Sequence, residues 1–305
     1  MSPLAGFGFS IPISLTLTCL WTLLVVASVR PGRPSHPLQF VALASLAFIP
    51  LLAGPESVSW RYILFMLGLG PLLTSVITYG SRRHPSLIAR LLAAPTLLAS
   101  HYQERAPKRI PFKLGLTALG QVIASSLLIF GIQQADLLHA PGWHGLFSRA
   151  GAGVALLLVL PNAVVNSITF CCMASGWKVR EWHRAPYLSA SLGEFWSERW
   201  NLLVPRSFSR LILKPLIKRR KPGLAITATF LASAALHFWL GIVTAPLAVT
   251  IPFTLYFVFQ IPFALAERPL GVRTWPKWAG RMWTYILIIG PSPMLTEWIV
   301  LMVSS

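Results

Sequence analysis

Aspartate is almost missing from this chain of 305 residues: Asp136 is the single one, and acidic residues number only eight. Enzymes that ionise a diphosphate through magnesium need clustered aspartates, so chemistry of that kind is excluded. There is no P-loop, no G-x-S-x-G elbow, no H-E-x-x-H helix and no dinucleotide fingerprint. Gly6-Phe7-Gly8 and Gly68-Leu69-Gly70 are too short to count as one. Cysteine is scarce as well. Cys19, Cys171 and Cys172 all lie in apolar stretches, an odd set with neither a disulfide framework nor a metal spacing.

Charge of either sign is sparse. Charged residues make up 11% of the chain and hydrophobic ones 55%, whereas soluble domains carry about 25% charged residues. A soluble protein is thereby excluded. The net charge of +18 does not point to nucleic acid, because the basic residues sit in loops between apolar runs. There they set topology and meet anionic headgroups.

What is present is a series of apolar segments of bilayer-crossing length. They run over Phe9–Val29, Leu38–Gly54, Trp60–Tyr79, Phe112–Gln133, Gly151–Met173, Gly223–Thr244, Leu247–Ala266 and Trp283–Val303. The first lacks a basic n-region and a cleavage site, so it is expected as a retained span rather than a signal peptide. Internal prolines such as Pro161, Pro252 and Pro262 are tolerable in membrane helices. With the N-terminus outside, the cytoplasmic loops hold two, seven, eleven and four of the 26 lysines and arginines. Only Arg61 and Arg149 fall on the other face. That asymmetry predicts eight spans with both termini non-cytoplasmic. The expected fold is all-α: one membrane-embedded domain over residues 1–305, a polytopic bundle of about eight spans. Interfacial amphipathic helices should lie on its cytoplasmic side, in Ser86–Arg105 and within Ser175–Pro222, where Trp177, Trp182, Trp196 and Trp200 suit the interface. A bacterial inner membrane and the endoplasmic reticulum fit equally.

Of seven histidines, His237 alone lies inside a span. Counted from Gly223, it sits roughly 20 Å deep. An ionisable group there marks a functional site by default, and a neutral imidazole would be ready to accept a proton. The alternative is a structural histidine bonded to a neighbouring helix through Gln260, Asn162 or Asn166. Ser233 and its alanine neighbours permit either close helix packing or room for a substrate.

The loop before that span reads Ser191-Leu192-Gly193-Glu194-Phe195-Trp196-Ser197-Glu198-Arg199-Trp200-Asn201. It resembles the signature of the wax synthase branch of the membrane-bound O-acyltransferase family. In that signature a serine, an acidic residue, Phe-Trp, a basic residue, Trp and then Asn or His recur in order. The family's catalytic histidine follows some tens of residues later, in a hydrophobic helix after small residues; His237 follows Asn201 by 36 positions. The sequence departs from the family pattern at Gly193, Ser197, Glu198 and Phe238.

The resemblance implies transfer of an acyl group from acyl-CoA, a co-substrate rather than a resident cofactor, to the hydroxyl of a lipophilic alcohol. A long-chain alcohol, a sterol or a terpenoid would serve. His237 would be the general base. Asn201 would orient it or bind the oxyanion, with a capping role equally open. Trp196, Arg199, Trp200 and Arg206 are the candidate cofactor-binding residues, no metal is expected, and Glu194, Glu198 and Arg199 read as a structural ion-pair set. Membrane lipids are the other expected partners; no nucleic acid is. Two other classes stay open: a proton-initiated isoprenoid cyclase or isomerase on the same scaffold, and a non-catalytic lipid transporter.

Overall fold

The computed structural model describes residues 6–28, 45–54, 59–65, 67, 110–136, 141–176 and 183–304. Among these, every regular element is helical. The amphipathic helix expected over Ser86–Arg105 lies outside the described residues, as do large parts of the expected second and third spans.

The long helices are α1 (Ile11–Ser28), α2 (Phe112–Gln134), α3 (Gly142–Ala174), α4 (Pro222–Thr244), α5 (Leu247–Ala266), α6 (Lys277–Ile289) and α7 (Ser292–Ser304). Four of them, α2 to α5, are long and apolar enough to cross a membrane; α6 and α7 make a fifth candidate if counted as one bent span. Outward faces carry large apolar side chains, among them Leu119, Leu127, Phe130, Leu231 and Leu255. Such faces belong in lipid, and the chain is a multi-pass membrane protein. Eight spans were expected; four or five are found among the described residues.

The chain divides into two compact units. In the first, Val25 of α1 packs with Ile49, Leu52, Ala53 and Leu64, and Leu17, Trp21 and Trp60 close over them. Indole N–H groups find hydroxyl partners there: Trp21 Nε1 donates to Ser45 Oγ at 2.8 Å and Trp60 Nε1 to Ser14 Oγ at 2.8 Å. Arg61 is wholly buried. Its guanidinium donates to Ala53 O and to Val243 O in the last turn of α4. A cation at a helix C-terminus meets the carbonyls the helix cannot satisfy itself. The buried Arg61 guanidinium therefore has a structural use.

The second unit holds most of α4, all of α5 to α7 and the loop from Glu181. Ala245 and Pro246 join α4 to α5, so the two run antiparallel. Gly241 lets them approach closely: a Cβ there would lie 2.5 Å from Thr250 Cγ2. Across the unit, Arg149 of α3 donates to Glu297 of α7 at 2.6 Å.

The expected eighth span is broken. α6 and α7 meet at 52°, across Gly290 and Pro291. Pro291 has no N–H for Leu287 O, and the break strands Ile288 O beside it. Side chains of α5 take both carbonyls: Gln260 Nε2 donates to Leu287 O at 3.0 Å and Tyr256 OH to Ile288 O at 3.1 Å. In lipid an unsatisfied carbonyl costs several kcal/mol, so these two bonds are what make the break tolerable.

Candidate active site

The Ser191–Asn201 segment folds as a short helical turn, Leu192–Glu194, running into a wide π-turn, Phe195–Arg199. A helix start leaves its first N–H groups without partners; here each is met. Ser191 Oγ accepts Glu194 N–H, and Ser191 O accepts Phe195 N–H. Leu192 N–H and Gly193 N–H donate to the two oxygens of Glu267, the residue that follows α5, which also accepts Trp283 Nε1–H at 3.2 Å. Glu267 is 8% exposed. Its carboxylate ties the segment to the end of α5 and to the middle of α6. Gly280 allows α6 to lie against the segment, since a Cβ there would stand 2.3 Å from Ala190 O.

Arg199 closes the π-turn. It donates to Glu194 Oε1 at 2.6 Å and to the carbonyls of Arg184 and Ala185. Burial would raise the Glu194 carboxyl. The Ala190 N–H bond, the Arg199 bond and charge, and the charge of Arg281 outweigh it and hold the group below the ordinary carboxylate range. Of the ion-pair set read from sequence, Glu194 and Arg199 pair, and Glu198 stays exposed. Trp200 stacks on Phe195 at 5.7 Å and meets His183 at a tilt at 4.7 Å. Burial holds the His183 imidazole down at about 4, and its Nδ1 has no hydrogen-bond partner.

Trp196 turns the other way. Its ring meets Phe257 at 5.9 Å and Phe230 at 6.2 Å. Phe257 in turn lies 3.7 Å from the His237 ring at 23°, with Phe253 edge-on at 5.2 Å and itself stacked on Trp298. The loop and the intramembrane histidine, 36 positions from Asn201 in sequence, are thus joined through a single phenylalanine. His237 Nδ1 is 2.7 Å from Ser233 O. A carbonyl only accepts, so Nδ1 carries the proton and Nε2 keeps its lone pair. Gln260, offered by the sequence as a structural partner for His237, is engaged at the helix break instead.

Asn201 adopts φ +41°, and its Oδ1 is buried without a partner. It does not bond His237; Ser233 does the orienting. Trp196 Nε1 is the other buried, unpartnered polar atom of the segment. The Arg206 side chain lies outside the described residues. The bonds of Glu267 to two backbone N–H groups 74 and 75 positions away leave no local pattern in the sequence.

The description "Membrane bound O-acyl transferase family" belongs to the family model that matches residues 179–259. That stretch runs from the loop through α4 into α5 and contains Trp196, Asn201, His237 and Phe257. Over it, the chain is similar to the membrane-bound O-acyltransferases. Two curated proteins of Arabidopsis thaliana are also similar. A probable long-chain-alcohol O-fatty-acyltransferase 7 is 30% identical over 103 residues, 30% of this chain and 30% of its own length. A probable long-chain-alcohol O-fatty-acyltransferase 2 is 32% identical over 90 residues, 27% of this chain and 24% of its own. Each match spans less than a third of the relative. The O-acyltransferase likeness thus covers the part of the chain in which the loop meets the histidine.

Proposed function

We propose that this protein transfers an acyl group from acyl-CoA to the hydroxyl of a lipophilic alcohol, with His237 as general base. The observation that carries the reading is the Nδ1–H bond to Ser233 O. It sets the tautomer: in the neutral imidazole Nδ1 holds the hydrogen, and Nε2 is left to take a proton. Nε2 accepts the alcohol proton as the oxygen attacks the thioester carbonyl. The tetrahedral intermediate then expels the CoA thiolate, which recovers that proton from the imidazolium. A thiolate leaves readily, so the step needs neither a metal nor a strong acid.

The indole N–H of Trp196 and the amide of Asn201 are the groups of the loop available to the developing oxyanion. Trp200 frames the loop for the donor. Arg199 is held by Glu194 and two carbonyls, which argues for a scaffold role. The acceptor class is a long-chain alcohol, a sterol or a terpenoid, and the printed names of the relatives favour the first. The chain is read as one membrane domain with both termini non-cytoplasmic.

Purified protein given radiolabelled acyl-CoA and a panel of alcohols should form ester and free thiol in equal amounts. His237→Ala should abolish both. Ester formation that persists in the variant removes His237 as the base. A product formed without acyl-CoA favours a cyclase, and no turnover across the panel favours a transporter.

A further inference from the structure

The acyl-CoA reading needs cations for the donor's phosphates, and Arg199 is already neutralised. Two guanidinium groups beside the same loop are not. Arg281, in the first turns of α6, has a buried Nε without a hydrogen-bond partner. It stands near enough to Glu194 for its charge to be felt there. Arg273, in the Val272–Thr274 turn, places Nη2 3.8 Å from where a Cβ of Gly193 would stand. Neither makes a hydrogen bond or ion pair among the described residues. The acids close to them are engaged. Glu194 holds Arg199 and Ala190 N–H, while Glu267 holds Leu192 N–H, Gly193 N–H and Trp283. The buried Arg281 Nε–H without an acceptor is costly unless a ligand supplies one. Arg273 is exposed and open to an incoming ligand, and the planar fork of arginine fits phosphate oxygens.

We propose that Arg273 and Arg281, flanking Gly193 and Glu194, bind phosphate groups of the acyl-CoA donor. This rests on the acyltransferase reading and adds the charged half of the donor site to it. The topology is consistent. Because α4 and α5 are antiparallel, the turn after α5 lies at the end where α4 begins, about 20 Å from His237. A donor whose phosphates sit at that end must carry its thioester on a long, thin, uncharged arm, as coenzyme A does. Phosphate of a lipid headgroup has the same chemistry, so the test separates the two sources.

The full-length protein is compared with Arg273→Met/Arg281→Met, which keeps the apolar stems. Equilibrium binding of coenzyme A and of adenosine 3′,5′-bisphosphate comes first, since it needs no turnover. The expected result is at least tenfold weaker binding of both. The kcat/KM for acyl-CoA, relative to that for the same acyl group on N-acetylcysteamine, should fall by a similar factor. Unchanged coenzyme A binding overturns the proposal. So does an equal loss with both thioesters, which would mean a structural role. Loss only of stimulation by anionic-lipid vesicles, with coenzyme A affinity intact, assigns the pair to headgroups and also overturns it. A wild type that binds coenzyme A through these arginines but forms no ester sinks the acyltransferase reading and leaves the phosphate site standing.

Discussion

Replacing Glu267 tests the connection between loop and helices most directly. Its carboxylate accepts three N–H groups while 8% exposed. Glu267→Ala strands all three donors, at about 1–3 kcal/mol each. Water at the membrane edge reaches some of them, so the expected total is about 3–5 kcal/mol. Glu267→Gln keeps one acceptor oxygen. Set where Oε1 serves Leu192 and Trp283, the oxygen leaves the amide NH2 facing Gly193 N–H, donor against donor. Its cost should be about 1–3 kcal/mol, between wild type and alanine. The assay is reversible unfolding in mixed micelles followed by tryptophan fluorescence, with ester formation measured alongside. Activity should fall with the loop's stability, because Glu267 holds the segment whose Trp196 reaches the His237 ring through Phe257. An alanine variant within 0.5 kcal/mol of wild type, a margin set by ordinary surface substitutions, refutes the argument.

Other outcomes follow from single contacts. Gln260→Leu should cost about 1–2 kcal/mol net, because it strands Leu287 O but also removes the buried, unpartnered Gln260 Oε1. In a Pro291→Ala background the restored N–H can take that carbonyl, so the cost should shrink by half or more; additive costs in the double-mutant cycle would contradict this. His183, held at about 4 from an ordinary 6.5, binds its proton in the unfolded chain but not in the folded one between those values. Stability should therefore fall by up to about 3 kcal/mol as pH drops from 6.5 to 4. His183→Phe should remove that part of the slope in unfolding measured across this range.

Hydropathy located α2, α4 and α5 within a residue or two, because an unbroken apolar run of that length has few other fates. The expected span at Gly151 begins earlier: α3 starts at Gly142, and the Trp143–Arg149 turns were too polar to join an apolar window. The break at Gly290 and Pro291 escaped for a different reason. Proline inside an apolar run reads the same whether the helix bends or continues. The partners that decide it, Tyr256 and Gln260, are some thirty residues away. The Glu194–Arg199 pair was legible from local spacing, and the place of His237 within an apolar helix from hydropathy. The ring contacts of Trp196, Phe257 and His237 were not, since helix packing rather than sequence spacing sets them.

Asn201 has a consequence for how its own mutagenesis is read. At φ +41° the backbone sits in a region where an ordinary L-residue pays about 1–2 kcal/mol, while asparagine, aspartate and histidine enter it more readily. The family signature that the loop resembles carries asparagine or histidine at this place. Both are suited to a left-handed kink, whatever else they do. An alanine scan would therefore report a damaged enzyme even if the amide never met a substrate. Glycine, which keeps the kink and deletes the amide, is the substitution that isolates the chemistry.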